Sequence, residues 1–428
     1  MFRSGGKKRY LPVLAAVVAL VVGWLTLQSG SPSAEPLPRI AWEGGPAYYR
    51  AYPAAEAAGW SKDTFFPIGV WFESVREEKD VLTDKAAGLN TYVALTEDSD
   101  TALIRKHGMW AITDRPLAGA GAETVGWLIA DEADMWAGAG DGEWTGKKIG
   151  EGEPCAQPDK PCGYTAMRTL KDRLPKGDGR MHYANYGKGV AMWETEAEAE
   201  KFVNGYTDVT STDLYWYTDP AVCKEAEHFL GLPGAQCPRA ANYGLLMDKE
   251  RKLDAMDGKR QPIYAFIEVG WPMEDGRTEI KPEQLRGAVM QSLIHEARGI
   301  IYFNHNFGGP CVSQHVLRDC YPQTRAAVTE VNRQITQLAP VLNTQSYAHA
   351  FGAGLDTMLK EHDGSYYVFA MVEQGSGPGE RTLALPPPLA SAGSVEVLFE
   401  ERTIPVEGGR FTDAFAAEHT AHIYKITP

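Results

Sequence analysis

Two short apolar runs in this 428-residue chain end on carboxylates. Gly126-Trp127-Leu128-Ile129-Ala130 runs into Asp131-Glu132, and Pro262-Ile263-Tyr264-Ala265-Phe266-Ile267 runs into Glu268. A run of about five apolar or small residues reads as a buried strand. Acids that end such a strand sit at its C-terminal end and face whatever cleft lies there. Acids on two separate strand ends are what chemistry at a glycosidic bond requires. One carboxyl gives a proton to the leaving oxygen, and the other attacks the anomeric carbon or activates water. Other catalytic signatures are missing: there is no G-x-S-x-G, no H-E-x-x-H and no P-loop.

The runs that must position these acids recur along the chain. They begin at Ile68, Thr91, Trp110, Trp127, Met181, Val209, Ile263 and Gly299, and helix-like stretches separate many of them, such as Glu77 to Gly88 and Lys281 to Glu296. Eight strands alternating with helices predict an α/β fold, a (β/α)8 TIM barrel over residues 35–342. An open doubly wound sheet is the alternative, but no G-x-G-x-x-G follows any run. Gln323 to Leu342 reads as one long helix. Beyond it, short alternating runs separated by Gly, Pro and Ser predict a small C-terminal antiparallel β-domain, sandwich-like, over residues 343–428.

In a barrel, functional side chains come from the C-terminal strand ends. Those ends carry Trp71 and Glu73, Asp114, Asp131 and Glu132, Tyr183 and Asn185, Asp213, Tyr215 and Tyr217, Glu268 with Trp271 beyond it, and Asn304 with His305. The set predicts a polar, aromatic-lined substrate cleft. Trp71, Trp216 and Trp271 are expected to stack on sugar faces, although a core position explains any one of them equally well. His182 and His305 read as polar contacts rather than metal ligands.

The order of runs, with a carboxylate closing the fourth and another the seventh, resembles the large clan of retaining (β/α)8-barrel glycoside hydrolases. The resemblance covers roughly residues 65–428. It implies that Glu132 is the acid/base, that Glu268 is the nucleophile, and that the substrate is an oligo- or polysaccharide of a cell wall or the environment. The clan usually shows Asn-Glu after strand four, where this chain has Asp131-Glu132 followed by Ala133. The charge of Asp131 is expected to raise the pKa of Glu132, which suits a proton donor. Two other readings remain open: an inverting hydrolase that uses Asp114 with Asp213, and a catalytically silent barrel that binds glycans at the cell surface.

The bulk properties agree with an exported enzyme that needs no cofactor or metal. A net charge of −14 argues against nucleic-acid partners, which require clustered Lys and Arg. The six cysteines fall as neighbours, Cys155 with Cys162, Cys223 with Cys237 and Cys311 with Cys320. Local disulfides are expected, and with them an oxidising compartment. Basic residues from Arg3 to Arg9 precede an apolar stretch from Leu11 to Leu27, so residues 1–34 read as a signal peptide or membrane anchor with a linker. The Gly-rich segment Ala137 to Gly163 lies beside Glu132, where it is expected to wall one end of the cleft.

Overall fold

A computed structural model describes residues 36–274 and 278–428. The basic and apolar N-terminal segment, with its expected signal or anchor, lies outside the described residues. Among the described residues no helix is long and apolar enough to cross a membrane.

Eight parallel strands close into a barrel in sequence order. They are β1 (Ile68–Trp71), β2 (Thr91–Val93), β3 (Trp110–Thr113), β4 (Thr124–Asp131), β5 (Met181–Tyr186), β6 (Val209–Thr212), β7 (Ile263–Glu268) and β8 (Gly299–Phe303). Every strand falls on an expected run. Closure leaves no edge: β1 pairs with both β2 and β8, with Val70 opposite Tyr92 and Tyr302. Alternate residues take opposite sides. Trp71, Val93, Leu128, Tyr183, Tyr264, Phe266 and Ile301 fill the barrel, while Ile68, Val70, Tyr92, Ala265, Ile267 and Ile300 pack under the helices. Both faces are covered, which is why these strands read as continuous apolar runs rather than alternating ones.

Local chemistry sets the helix starts. Asp100 caps helix Thr101–Lys106 by accepting from the Ala102 amide at 2.8 Å. Thr195 and Glu198 form a reciprocal capping box on helix Glu196–Gly205. Between β6 and β7 lie helices Val222–Leu230 and Ala241–Asp254. The turns Gly45–Ala51 and Pro53–Ala57 bring Tyr49 and Trp60 into the barrel's internal core, where the Tyr49 and Tyr264 hydroxyls meet at 2.7 Å.

The C-terminal residues form the expected antiparallel β-structure. A six-stranded sheet has the order β14-β13-β16-β11-β10-β9, and β12 pairs with β15. The strands are β9 (Ser346–Tyr347), β10 (Leu355–His362), β11 (Ser365–Val372), β12 (Gly379–Ala384), β13 (Ser394–Val397), β14 (Arg402–Pro405), β15 (Arg410–Phe415) and β16 (Ala421–Ile426). On β11, Val368, Ala370 and Val372 enter this domain's own core, while Tyr367, Phe369 and Met371 join the core around the barrel helices. Strand β11 is therefore buried on both faces. Leu37–Pro428 cluster as one compact unit. All three disulfides pair as expected, Cys155–Cys162, Cys223–Cys237 and Cys311–Cys320.

Candidate active site

The C-terminal mouth of the barrel holds a cavity of about 590 Å³, inside the range of roughly 300–1,000 Å³ usual for small-molecule sites. Of the residues expected there, Trp71, Asp114, Asp131, Glu132, Asn185, Asp213, Tyr215 and His305 line it. Asp131 ends β4 and is exposed to the cavity, and Glu132 follows it. Glu132 adopts a left-handed backbone (φ 51°), as do Phe72 (φ 52°) beyond β1 and Ala94 (φ 58°) beyond β2. All three line the cavity. Side chains rarely tolerate this conformation, and such strain collects at functional sites. Gly187 makes room for Glu132: a Cβ there would sit 3.1 Å from the Glu132 Oε1 and against Met135.

The acids are tied together from below. The Asn185 amide nitrogen donates to Asp131 Oδ1 at 2.9 Å and to Asp213 Oδ1 at 3.0 Å, while its oxygen accepts from Ser211 Oγ at 2.6 Å. Asn185 thus has its amide orientation set by Ser211 and clamps two carboxylates on the ends of β4 and β6. Burial, then the charge of Asp213, raises Asp131. Burial, then Asp213, Asp131 and Asp134, raises Glu132 well beyond the carboxylate range. Asp213 is also raised by burial, but Tyr215 and Asn185 favour its charged form. Like charges this close cannot all ionise, so the cluster keeps a proton at neutral pH, and Glu132 is the group that holds it best. Asp134, one turn on, stays structural. It accepts the Gly187 and Val190 amides at 3.0 and 2.8 Å and fixes the loop after β5.

Other expected residues lie elsewhere. Glu268 ends β7 as expected, yet its carboxylate does not line the cavity. It is wholly buried and accepts the Tyr217 amide at 2.9 Å and the hydroxyls of Thr218 and Tyr243. Those three donors turn it beneath the loop after β6, the loop that carries Asp213 and Tyr215. Burial raises it to about 7 against these hydrogen bonds. Glu73 is buried among His315, Arg318 and Asn304, with the His315 Nδ1 at 2.5 Å, and Asn304 is spent on Glu73 and the Leu317 amide. Tyr183 bonds Ser211 within the barrel core, Tyr217 bonds Glu418, and Trp216 packs in the outer core. Trp271 does not line the cavity, and its backbone amide is held by Asn306 Oδ1.

Sequence reasoning missed Phe72, Lys148, Lys188, Asp219, Phe303 and Phe307, all of which line the cavity. Phe72 and Phe303 were parts of recognised strand ends, so their positions were readable there. Lys148 comes from the Gly-rich segment after β4, which does reach the cavity. Lys188 pairs with Asp219 at 2.7 Å and Glu225 at 3.1 Å, a contact no local pattern announces.

Glu268 makes a testable contribution to stability. Its folded-state pKa lies above the ordinary 4.5, so the folded chain binds this proton more tightly than the unfolded chain does. Its stabilising contribution is full below about 4.5 and is lost as pH rises through about 7. Glu268→Gln, neutral at every pH, can accept from Tyr217 and Tyr243 through its amide oxygen and donate its NH2 to the Thr218 hydroxyl, and it is expected to flatten the fall in Tm between those values and to lower activity by no more than about tenfold. Loss of several orders of magnitude with Tm unchanged would return Glu268 to the nucleophile's role.

A closed parallel barrel with clustered acids at its C-terminal mouth defines the class to which the site belongs in form. The chain matches no protein-family model and no curated protein. Solved structures similar to it include an α-amylase from Anoxybacillus, at 11% identity over 86% of this chain and 99% of that one, with a TM-score of 0.44. Others are a family 30 endoxylanase from Clostridium papyrosolvens (10%, 85% and 97%, TM-score 0.44) and a family 30 xylanase from Clostridium acetobutylicum (10%, 85% and 96%, TM-score 0.43).

Proposed function

We propose that this protein is an exported glycoside hydrolase that cleaves O-glycosidic bonds of an oligo- or polysaccharide by double displacement. The observation that carries the reading is the Asn185 clamp. One nitrogen binds oxygens of Asp131 and Asp213 at 2.9 and 3.0 Å. The clamp fixes two carboxyls beside Glu132 at the cavity, the clustered acids that cleavage of a glycosidic bond requires. The three disulfides support an oxidising, extracytoplasmic setting.

In this reading Glu132 remains the acid/base, as the sequence had suggested, and Asp131 replaces Glu268 as the nucleophile, because Asp131 lines the cavity beside Glu132 and Glu268 does not. Glu132 protonates the leaving oxygen as Asp131 attacks the anomeric carbon. Glu132, now ionised, then takes a proton from the water that releases the sugar. Asp213, held by Asn185 and Tyr215, keeps the proton on Glu132 before the first step. The alternative acid Asp114 is paired with Arg115 at 3.0 Å, which suits a substrate contact better than a proton carrier.

The test is product release from a panel of polysaccharides and aryl glycosides, with the anomer of the first product read by NMR. Retained configuration is expected. An inverted product would exclude double displacement. Binding of a glycan from a broad panel without cleavage of any would favour the silent glycan-binding barrel instead.

A further inference from the structure

The cavity has two chemically distinct sides. The acids come from the ends of β3, β4 and β6, whereas the ends of β1 and β8 and the loops that follow β7 and β8 supply Phe72, Phe303, His305, Phe307 and Met273, with Gln314 as the one amide among them. The rings of this second side are contiguous. His305 lies 5.6 Å from Phe72, 5.1 Å from Phe303 and 6.1 Å from Phe307 between centroids, and Phe303 is 5.0 Å from Tyr215. Phe307 is 53% exposed although it is fully apolar. The segment that follows it is closed by Cys311–Cys320, and Asn306 before it pairs with Ser313 and accepts the Trp271 amide at 2.6 Å. The exposed ring thus sits on a braced support.

We infer that this wall is a subsite for an apolar aglycone, an alkyl or aryl group attached to the sugar that the acids cleave. The inference rests on the glycosidase reading above. A sugar ring can lie on these rings by its C–H face, but along this wall its hydroxyls meet few polar partners, Gln314 and His305, whereas unpaired buried hydroxyls are costly, so an apolar group is favoured over a second sugar. His305 offers one partner at most, because its Nε2 already faces the Phe72 carbonyl at 3.2 Å and only Nδ1 is left. An alkyl chain or aromatic ring asks for none of these bonds and gains by covering the exposed Phe307. The boundary between acids and rings then places the scissile oxygen beside Glu132.

The experiment compares methyl and octyl glycosides of glucose, galactose, mannose and xylose, for the wild type and Phe307→Ala. For the sugar that is cleaved, kcat/KM is expected to be at least about tenfold higher for the octyl glycoside, and Phe307→Ala to remove most of that preference through KM. A preference near one in the wild type, or one that Phe307→Ala leaves intact, overturns the subsite. Calorimetric titration with octyl glucoside reads the wall without catalysis. If no glycoside or polysaccharide is cleaved yet octyl glucoside binds the wild type and binds Phe307→Ala at least about tenfold more weakly, the catalytic reading fails and the apolar subsite stands. If sugars are cleaved but octyl glucoside binds both forms equally, the subsite fails and the catalytic reading stands.

Discussion

Asp131→Asn is expected to lower kcat/KM on every cleaved glycoside by about 10⁴-fold or more, because in the proposed double displacement it removes the attacking atom rather than adjusting it. The substitution is nearly isosteric. The Asn oxygen can still accept from Asn185, so the clamp that bonds Asp131 at 2.9 Å and Asp213 at 3.0 Å survives and the fold should not change. An unchanged Tm beside the lost activity separates chemistry from stability. Azide, a small anion able to enter the space in front of residue 131, should restore turnover and yield a glycosyl azide of opposite configuration to the normal product. Asp213→Asn is the comparison. It leaves the attacking group in place, so azide should not rescue it. Wild-type turnover in Asp131→Asn would remove Asp131 from the mechanism, and rescue of Asp213→Asn alone would exchange the two roles.

Glu132→Gln is expected to cost about 10²- to 10⁴-fold, the usual worth of a positioned proton donor. The loss should depend on the leaving group. An aryl glycoside of an acidic phenol needs little protonation and should lose least in its first step, whereas an alkyl glycoside or polysaccharide should lose most. The pH profile carries an independent signature. Burial and the charges of Asp213, Asp131 and Asp134 hold the Glu132 proton well above the ordinary carboxylate range. The protonated form is the active donor, so on the basic side activity should fall only as that proton leaves, while the acid limb follows protonation of Asp131. The basic limb reports the pKa of the whole cluster, since its members titrate together. In Glu132→Gln that limb should vanish. A mutant that keeps the basic limb, or that loses equally on all leaving groups, would show that the donor is another residue.

The barrel was legible in the sequence for a physical reason. A strand buried on both faces must be apolar throughout, and eight such runs separated by helical stretches have few ways to close. The C-terminal β-structure was legible too, because Tyr366 to Val372 carries a double-sided apolar run of the same kind, here shared between two cores. The local disulfides could be read from neighbouring cysteines. Elements without a long apolar run escaped notice: Ala241–Asp254 spreads its buried residues among Asn242, Glu250 and Asp254, and β15 alternates with exposed polar residues.

The site divided along the same line. Position on a strand end was decided locally, and Asp131, Glu132, Asn185 and Asp213 all stand where their runs stop. What each strand-end side chain faces was decided only by the assembled fold. Glu268 and Asp131 have the same local grammar, yet Tyr217, Thr218 and Tyr243 take the first beneath a loop, while Asn185 holds the second at the cavity. Those partners come from other strands, helices and loops, so nothing within a few residues of either acid distinguishes them. The ring wall of Phe72, Phe303 and Phe307 is likewise a product of closure, which brings the end of β1 beside the end of β8. Sequence determined which residues reach the mouth of the barrel; the partners each meets there, and with them its charge state and its chemistry, follow from tertiary packing.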